Sequence, residues 1–184
     1  MKTKYVFIIV IIIGLIAFLY LNSKYIIRDD EHVVITQFGN VVGKAHSVPG
    51  EYFKIPFIQK VHYFKKYANQ FVSSQEIPTK DKKWLLVEAI VQWEIDDPAI
   101  YYTKLNSYEL ANKFVIKQVG NAERNLITSY KLTDIINRQG FDQFSKVKCN
   151  SVLENKIEDF VRKKMNGSGI KLLFIEETMS LINK

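Results

Sequence analysis

The sequence predicts an α+β protein on a membrane tether, and three observations carry that reading. Tyr5 to Ser23 is an uncharged run of nineteen aliphatic, aromatic and small residues. From Trp84 to Ile95 the chain alternates apolar and polar residues with a strict period of two. After Asn106 the apolar period changes to that of an amphipathic helix. An anchor, then strands, then helices is the order of an α+β fold.

The anchor comes first. At about 1.5 Å rise per residue, such a run spans roughly 28 Å as a helix, close to the hydrocarbon thickness of a bilayer. Its β-branched residues lower helix propensity in water, but in lipid the backbone must bond to itself, so a helix results. Tyr5, Tyr20 and Tyr25 sit near the two ends as an aromatic belt would. A cleaved signal peptide is the competing reading. It needs a shorter apolar core and small residues at its end, where this chain has Phe18-Leu19-Tyr20-Leu21. The reading is therefore an uncleaved single-pass anchor. The amino terminus, Lys2 and Lys4 lie on one side, against Lys24 and Arg28 on the other. That bias favours a cytoplasmic amino terminus and an extracytoplasmic body.

The 161 residues after Ser23 are enough for one domain or two small subdomains. They hold all 19 acids and 24 of the 26 basic residues, a modest and dispersed positive balance without the basic block of a nucleic-acid binder. Cys149 is the only cysteine, so no intrachain disulfide can form and cysteine usage does not select a compartment. The expected parts are a tail and anchor (1–23), a membrane-proximal β-rich subdomain (24–98) and a helical subdomain with a final strand (99–184).

Taken in order, Glu31 to Phe38 is β-branched and aromatic and ends at the turn Gly39-Asn40. Val41-Val42 begins a return strand, and Gly43 to Gly50 is a polar loop. Tyr52 to Ile58 is dense in aromatics and broken by Pro56, which argues for an edge strand or bulge. Val61 to Phe71 continues as mixed strand. Phe71 to Thr79 pairs with the Trp84–Ile95 strand through the charged turn Lys80-Asp81-Lys82-Lys83, and Asp96-Asp97-Pro98 stops the hairpin.

In the helical part, Asn106 with Glu109 has capping-box spacing. Leu110, Phe114, Ala122 and Leu126 form a stripe beside Val115 and Val119. Thr133 caps a short helix through Arg138, ended by Gly140. A third helix runs from Phe141 to Met165, with Phe144, Val147, Leu153, Ile157, Phe160 and Val161 on one face. Its last turn holds Arg162, Lys163 and Lys164, where cations suit the helix dipole, and Gly167 ends it. Ile170 to Phe174 is the last strand.

A search for chemistry finds no catalytic, cofactor-binding or metal constellation. His32, His46 and His62 match no metal-ligand spacing. Ser73-Ser74 lacks the glycines of a nucleophile elbow. Cys149 has Lys146 and Lys148 nearby to lower a thiol pKa, but no histidine close in sequence. Gly167-Ser168-Gly169 follows a helix instead of opening one, so it is a cap and not a phosphate loop. Asp96-Asp97, at a strand end, reads as a turn. The helical stripes either cover the β region or bind a partner, and the Tyr52–Ile58 aromatics either pack in a core or dip into the bilayer surface. What remains is a membrane-tethered interaction domain.

Five segments then carry a resemblance: E-H-V-V-I-T-Q-F-G-N (31–40), P-G-E-Y-F-K-I-P-F-I (49–58), P-T-K-D-K-K (78–83), V-Q-W-E-I-D-D-P (91–98) and G-I-K-L-L-F-I (169–175). In this order the chain resembles the stomatin/prohibitin/flotillin/HflK-HflC family, the SPFH or band 7 proteins, and with its short amino-terminal tail most of all the HflC branch. The resemblance implies a bacterial inner-membrane protein with cytoplasmic amino terminus and extracytoplasmic body. It implies assembly with an HflK-like partner into a hetero-oligomeric cage that modulates an FtsH-like AAA protease, without catalysis of its own and without a cofactor. Family members continue into a long charged helix that builds the cage wall. This sequence reaches Lys184, about where that helix would begin, so the expectation is a form shortened before it. The leading expectation is a scaffold acting through protein contacts and membrane lipids. The alternatives are a stomatin-like organiser of lipid patches and, in a different class, a membrane-anchored hydrolase using Cys149 or Asp96/Asp97. Cys149→Ala and Asp97→Asn separate the last from the others.

Overall fold

An apolar helix, α1 (Lys2–Ser23), opens the chain, and its described side chains from Lys4 to Asn22 are all exposed. It is apolar on every side and meets almost no cover from its own chain, the condition of a helix whose solvent is lipid. The computed structural model describes residues 2–66, 68–136 and 146–182. The chain divides into two units, residues 1–66 and 67–184.

In the first unit, β1 (Lys24–Ile27) leaves α1 directly and pairs antiparallel with β4 (Gly50–Phe53). The strand β2 (Glu31–Gln37) lies between β3 (Asn40–Val41) and β5 (Gln59–Lys65), again antiparallel. The β2–β3 connection is the two-residue turn Phe38-Gly39, with φ of 51° and 86°. Positive φ at both positions is the mirror-image turn that suits the twist of a hairpin. Tyr25, Ile27 and Val33 form the small core, with Ile35, Tyr52 and Val61 packed against it.

Two expectations change here. Regular pairing in the aromatic segment stops at Phe53, so residues 54–58 form a loop and not a strand through Ile58. The mixed strand expected over Val61–Phe71 is two strands, β5 and then β6 (Asn69–Pro78). The break has a cause in charge: Lys65 Nζ lies 2.8 Å from Asp30, while Lys66 Nζ donates to the carbonyls of Asp29 and Ser47, each at 2.8 Å. These bonds hold the end of β5 to the first unit. The strand β1 escaped notice because its four residues merge with the apolar run before them.

The second unit is built on an antiparallel sheet in the order β6-β7-β9-β8, with β7 (Trp84–Ile95), β8 (Val147–Lys148) and β9 (Ile170–Ile182). The β6–β7 hairpin is the expected one. Leu85, Val87, Ala89, Val91, Trp93 and Ile95 are all buried. A one-residue slip would bury Glu88, Gln92 and Glu94 instead, so the pattern specifies the register. Between β7 and the later helices lies α2 (Pro98–Lys104), which was not anticipated. The Asp97 carboxylate accepts from the N–H groups of Ala99 and Ile100 at 2.9 and 3.0 Å, and proline takes the first helical position. The segment that stops the strand thus also starts a helix.

Helix α3 (Tyr108–Ile127) begins at Ser107, whose hydroxyl accepts from Leu110 N–H; Asn106, the expected cap, instead adopts a left-handed φ of 58°. Glu109 pairs with Lys113, 2.6 Å away. The buried stripe is Ala111, Val115, Val119, Ala122, Glu123 and Ile127, while Leu110 is 52% exposed. The stripe was expected one position toward the amino terminus, because Leu110 and Phe114 outweigh Ala111 in any apolar count. Helix α4 (Leu132–Ile135) starts from Lys131, with Thr133 inside it and not capping it. Arg138, Gly140 and Phe144, named in the expected short and third helices, lie outside the described residues. Helix α5 (Ser151–Met165) is shorter than the expected helix, because Asn150 caps it and Val147 lies on β8. Leu153, Ile157, Val161 and Met165 are its buried face. The last strand runs eight residues beyond Phe174. Leu173 has no partner opposite the Gln92–Trp93 step, and this bulge moves the buried set from Ile170 and Leu172 to Ile175, Glu177 and Met179.

Candidate membrane-facing site and the buried acid pair

The residues with most apolar surface beside the anchor belong to the loop after β4. Lys54 N–H donates to Ser23 O at 2.7 Å, and Ile55 and Gln59 bond to each other across the loop, Ile55 N–H to Gln59 Oε1 at 2.8 Å and Gln59 N–H to Ile55 O at 2.9 Å. These bonds set the loop against the end of α1. The Phe57 ring stacks on Phe18 with centroids 6.2 Å apart, and Phe53 meets Tyr20 at 6.0 Å. Lys24 Nζ stands 5.3 Å from the Tyr20 ring centroid and 5.9 Å from that of Phe53. Phe57 adopts φ of 64° and is still 79% exposed. A phenylalanine in the left-handed region carries strain and, exposed, returns no core packing for it. Of the two uses open for these aromatics, Tyr52 takes the first: it stacks on Tyr25 in the core and its hydroxyl donates to Val48 O at 3.0 Å. Phe53, Ile55, Phe57 and Ile58 are exposed, and the first and third of them meet rings of α1.

The residues weighed as chemical groups are structural where the fold places them. His32 Nδ1 bonds Ser47 Oγ at 2.7 Å, His62 Nε2 bonds Thr36 Oγ1 at 3.0 Å, and the His46 backbone bridges to Val33. Ser73 and Ser74 are mid-strand residues opposite Ala89 and Glu88. Asp97 caps α2. Gly169 O accepts from the N–H groups of Asp96 and Asp97, which ties the turn before β9 to the end of β7. The two lysines near Cys149 are engaged elsewhere, Lys146 with Glu88 at 2.5 Å and Lys148 with Glu176. Burial, together with Glu177 and Glu154, pushes the Cys149 thiol far up. It is a buried thiol, not a thiolate. Among the described residues, no group of three or more His, Cys, Asp or Glu could hold a metal ion.

Sequence reasoning missed Glu123 and Glu177, on the inner sides of α3 and β9. Both are essentially inaccessible, at 1% and 0% exposure. Gln75 of β6 donates to Glu123, and its amide also reaches Gly120 O at 3.3 Å. Glu123 Oε1 and both oxygens of Glu177 have no hydrogen-bond partner among the described residues. Burial raises the Glu123 carboxyl to about 7. Burial, then Glu123 and Glu154, raise that of Glu177 to about 9. An isolated buried carboxylate is costly enough that the group holds its proton instead. The parity of β9 was the signal for Glu177, which stands between Ile175 and Met179, and the Leu173 bulge concealed it.

Residues 25–176 match the SPFH domain / Band 7 family, and the chain belongs to it. That family is non-catalytic. Among named relatives the chain is similar to protein HflC of Treponema pallidum, 32% identical over 117 residues that make up 63% of this chain and 35% of that one. It is also similar to the modulator of FtsH protease HflC of Escherichia coli K12, 27% identical over 143 residues, 70% of this chain and 41% of that one. Protein HflC of Buchnera aphidicola subsp. Schizaphis graminum (strain Sg) is 30% identical over 107 residues, 52% of this chain and 33% of that one. The matches span about a third to two-fifths of those relatives' length.

Proposed function

We propose that this chain is an HflC-like scaffold, tethered to the bacterial inner membrane by α1, that modulates an FtsH-like AAA protease through protein contacts made together with an HflK-like partner. The observation that carries the reading is the family match over residues 25–176, with relatives named as modulators of the FtsH protease. Its mechanism is confinement. An anchor holds copies in two dimensions, so weak lateral contacts act at a raised effective concentration. The amino terminus is cytoplasmic and the body extracytoplasmic, in keeping with the charge bias around α1 and with the resemblance. The exposed Phe53–Ile58 loop rests in the headgroup layer beside the anchor, where aromatic rings settle. That loop also favours a second reading, an organiser of lipid patches.

The test is the native mass of the tagged chain, extracted from its own membranes in mild detergent, with co-purifying proteins identified. A large particle containing an HflK-like protein and an AAA protease is the expected result. A large particle holding only this chain and lipid would favour the patch organiser, and a small particle without partners would overturn both.

A further inference from the structure

A second feature of the first unit lies where α1 ends. Beside β1 is a hollow of about 520 Å³. Lys24, Tyr25 and Arg28 come to it from β1 and the residue after it, Glu31 from β2, Glu51 from β4 and Tyr63 from β5. Its charges are of both signs. Lys24 and Glu51 are only loosely paired, 3.6 Å apart with 40% and 63% of their side chains exposed. Glu31 is nearly buried and shares Lys65 with Asp30, at 3.3 Å. Arg28 is exposed and makes no ion pair among the described residues; its charge acts on Tyr63. The Tyr25 ring is buried and stacks on Tyr52, and Tyr25 borders the hollow. An unpaired guanidinium, a loosely held ammonium and a phenol thus border one hollow together with two carboxylates.

We propose that this hollow binds the headgroup of a zwitterionic phospholipid, one that carries a phosphate and a primary ammonium. Arg28, Lys24 and the Tyr25 hydroxyl take the phosphate, since guanidinium and ammonium donors suit its oxygens. Glu51 and the Tyr63 ring face take the ammonium, by charge and by cation–π attraction. A purely anionic headgroup is disfavoured, because drawing Lys24 to its phosphate leaves Glu51 without the cation it now has. Position names the source. Lys24 directly follows Ser23, the last residue of α1, so a hollow that begins at Lys24 opens at the level of bilayer phosphates. The inference rests on α1 being the membrane span.

The experiment uses the full chain in detergent, with native mass spectrometry after addition of short-chain phosphatidylethanolamine, phosphatidylcholine or phosphatidylglycerol. The expected result is one retained phosphatidylethanolamine, held in preference to the other two. Arg28→Gln and Glu51→Gln should each lower its occupancy about tenfold, the size expected for losing one charge-assisted contact. Both positions are exposed, so a melting temperature near that of the parent chain identifies variants that have folded. Equal retention of the three lipids, or unchanged retention in folded Arg28→Gln, overturns the proposal. Displacement of the lipid by millimolar inorganic phosphate overturns the lipid source and leaves a free-phosphate site. Alkaline extraction of membranes separately reports the span, so loss of the anchor reading is told apart from loss of the pocket.

Discussion

Glu123 and Glu177 show what one residue can impose on the second unit. In the unfolded chain both titrate near pH 4.3, and in the folded chain near 7 and 9. As pH rises past about 4.3, the unfolded state releases these protons first and is favoured. Their contribution to stability is therefore complete below pH 4 and is lost progressively as pH climbs through 7 and then 9. The groups facing them from neighbouring elements are Gln75 from β6, Glu154 from α5 and Cys149 after β8, none of them a cation. The melting temperature in detergent should fall between pH 5 and pH 9, and Glu177→Gln should flatten that slope. Parallel slopes in the two proteins would refute the account. Gly169 is a second such residue. A Cβ there would lie 2.3 Å from Tyr101 N and 2.7 Å from Asp97 O, at a φ of 84°. Gly169→Ala should cost about 1–3 kcal/mol or more, read from denaturant unfolding, because backbone must move to make room.

At the scale of elements, the exposed edge of β9 is closed by a side chain. Arg162 of α5 donates to the carbonyls of Leu172 and Leu173 at 2.6 and 3.0 Å, and also pairs with Glu158. Arg162→Ala should destabilise by about 1–2 kcal/mol and Arg162→Lys should not restore it, because one ammonium cannot span two carbonyls and a carboxylate as the guanidinium fork does. Equal unfolding midpoints for Arg162→Lys and the parent chain would contradict this. The loop after β4 makes a different prediction. A tryptophan in place of Phe57 should add emission that brominated lipid quenches, over and above that of Trp84 and Trp93. Were that added emission unquenched and red-shifted, the loop would be facing water.

For the whole molecule the relevant comparison is between tether and body. The exposed apolar surface of α1 makes membrane retention the property of a single helix, so removal of residues 1–23 should release the body from the membrane fraction. Cys149→Ala should leave assembly and partner recovery unchanged, since the thiol is buried and held protonated. A change in either on Cys149→Ala would reopen a chemical role for it.

The sequence by itself determined what depends on local pattern. A long uncharged apolar run specified α1, strict alternation specified the face and register of β7, and the change of period marked the helices. The family motifs fall on β2, around β4, at the β6–β7 turn, at the end of β7 and at the start of β9. Only the tertiary structure decided what depends on partners distant in the chain. The true face of α3 was set by what Ala111 and Glu123 meet, not by their own hydrophobicity. The length of β9 depended on a bulge opposite Gln92 and Trp93. Lys146 and Lys148 face acids on other strands, so proximity in sequence misjudged Cys149. The hollow beside β1 draws on four strands that no local pattern brings together. Pattern reports the solvent a residue expects on each side, whereas charge pairing, burial of acids and the shape of a pocket are properties of contacts, and those exist only once the chain has closed on itself.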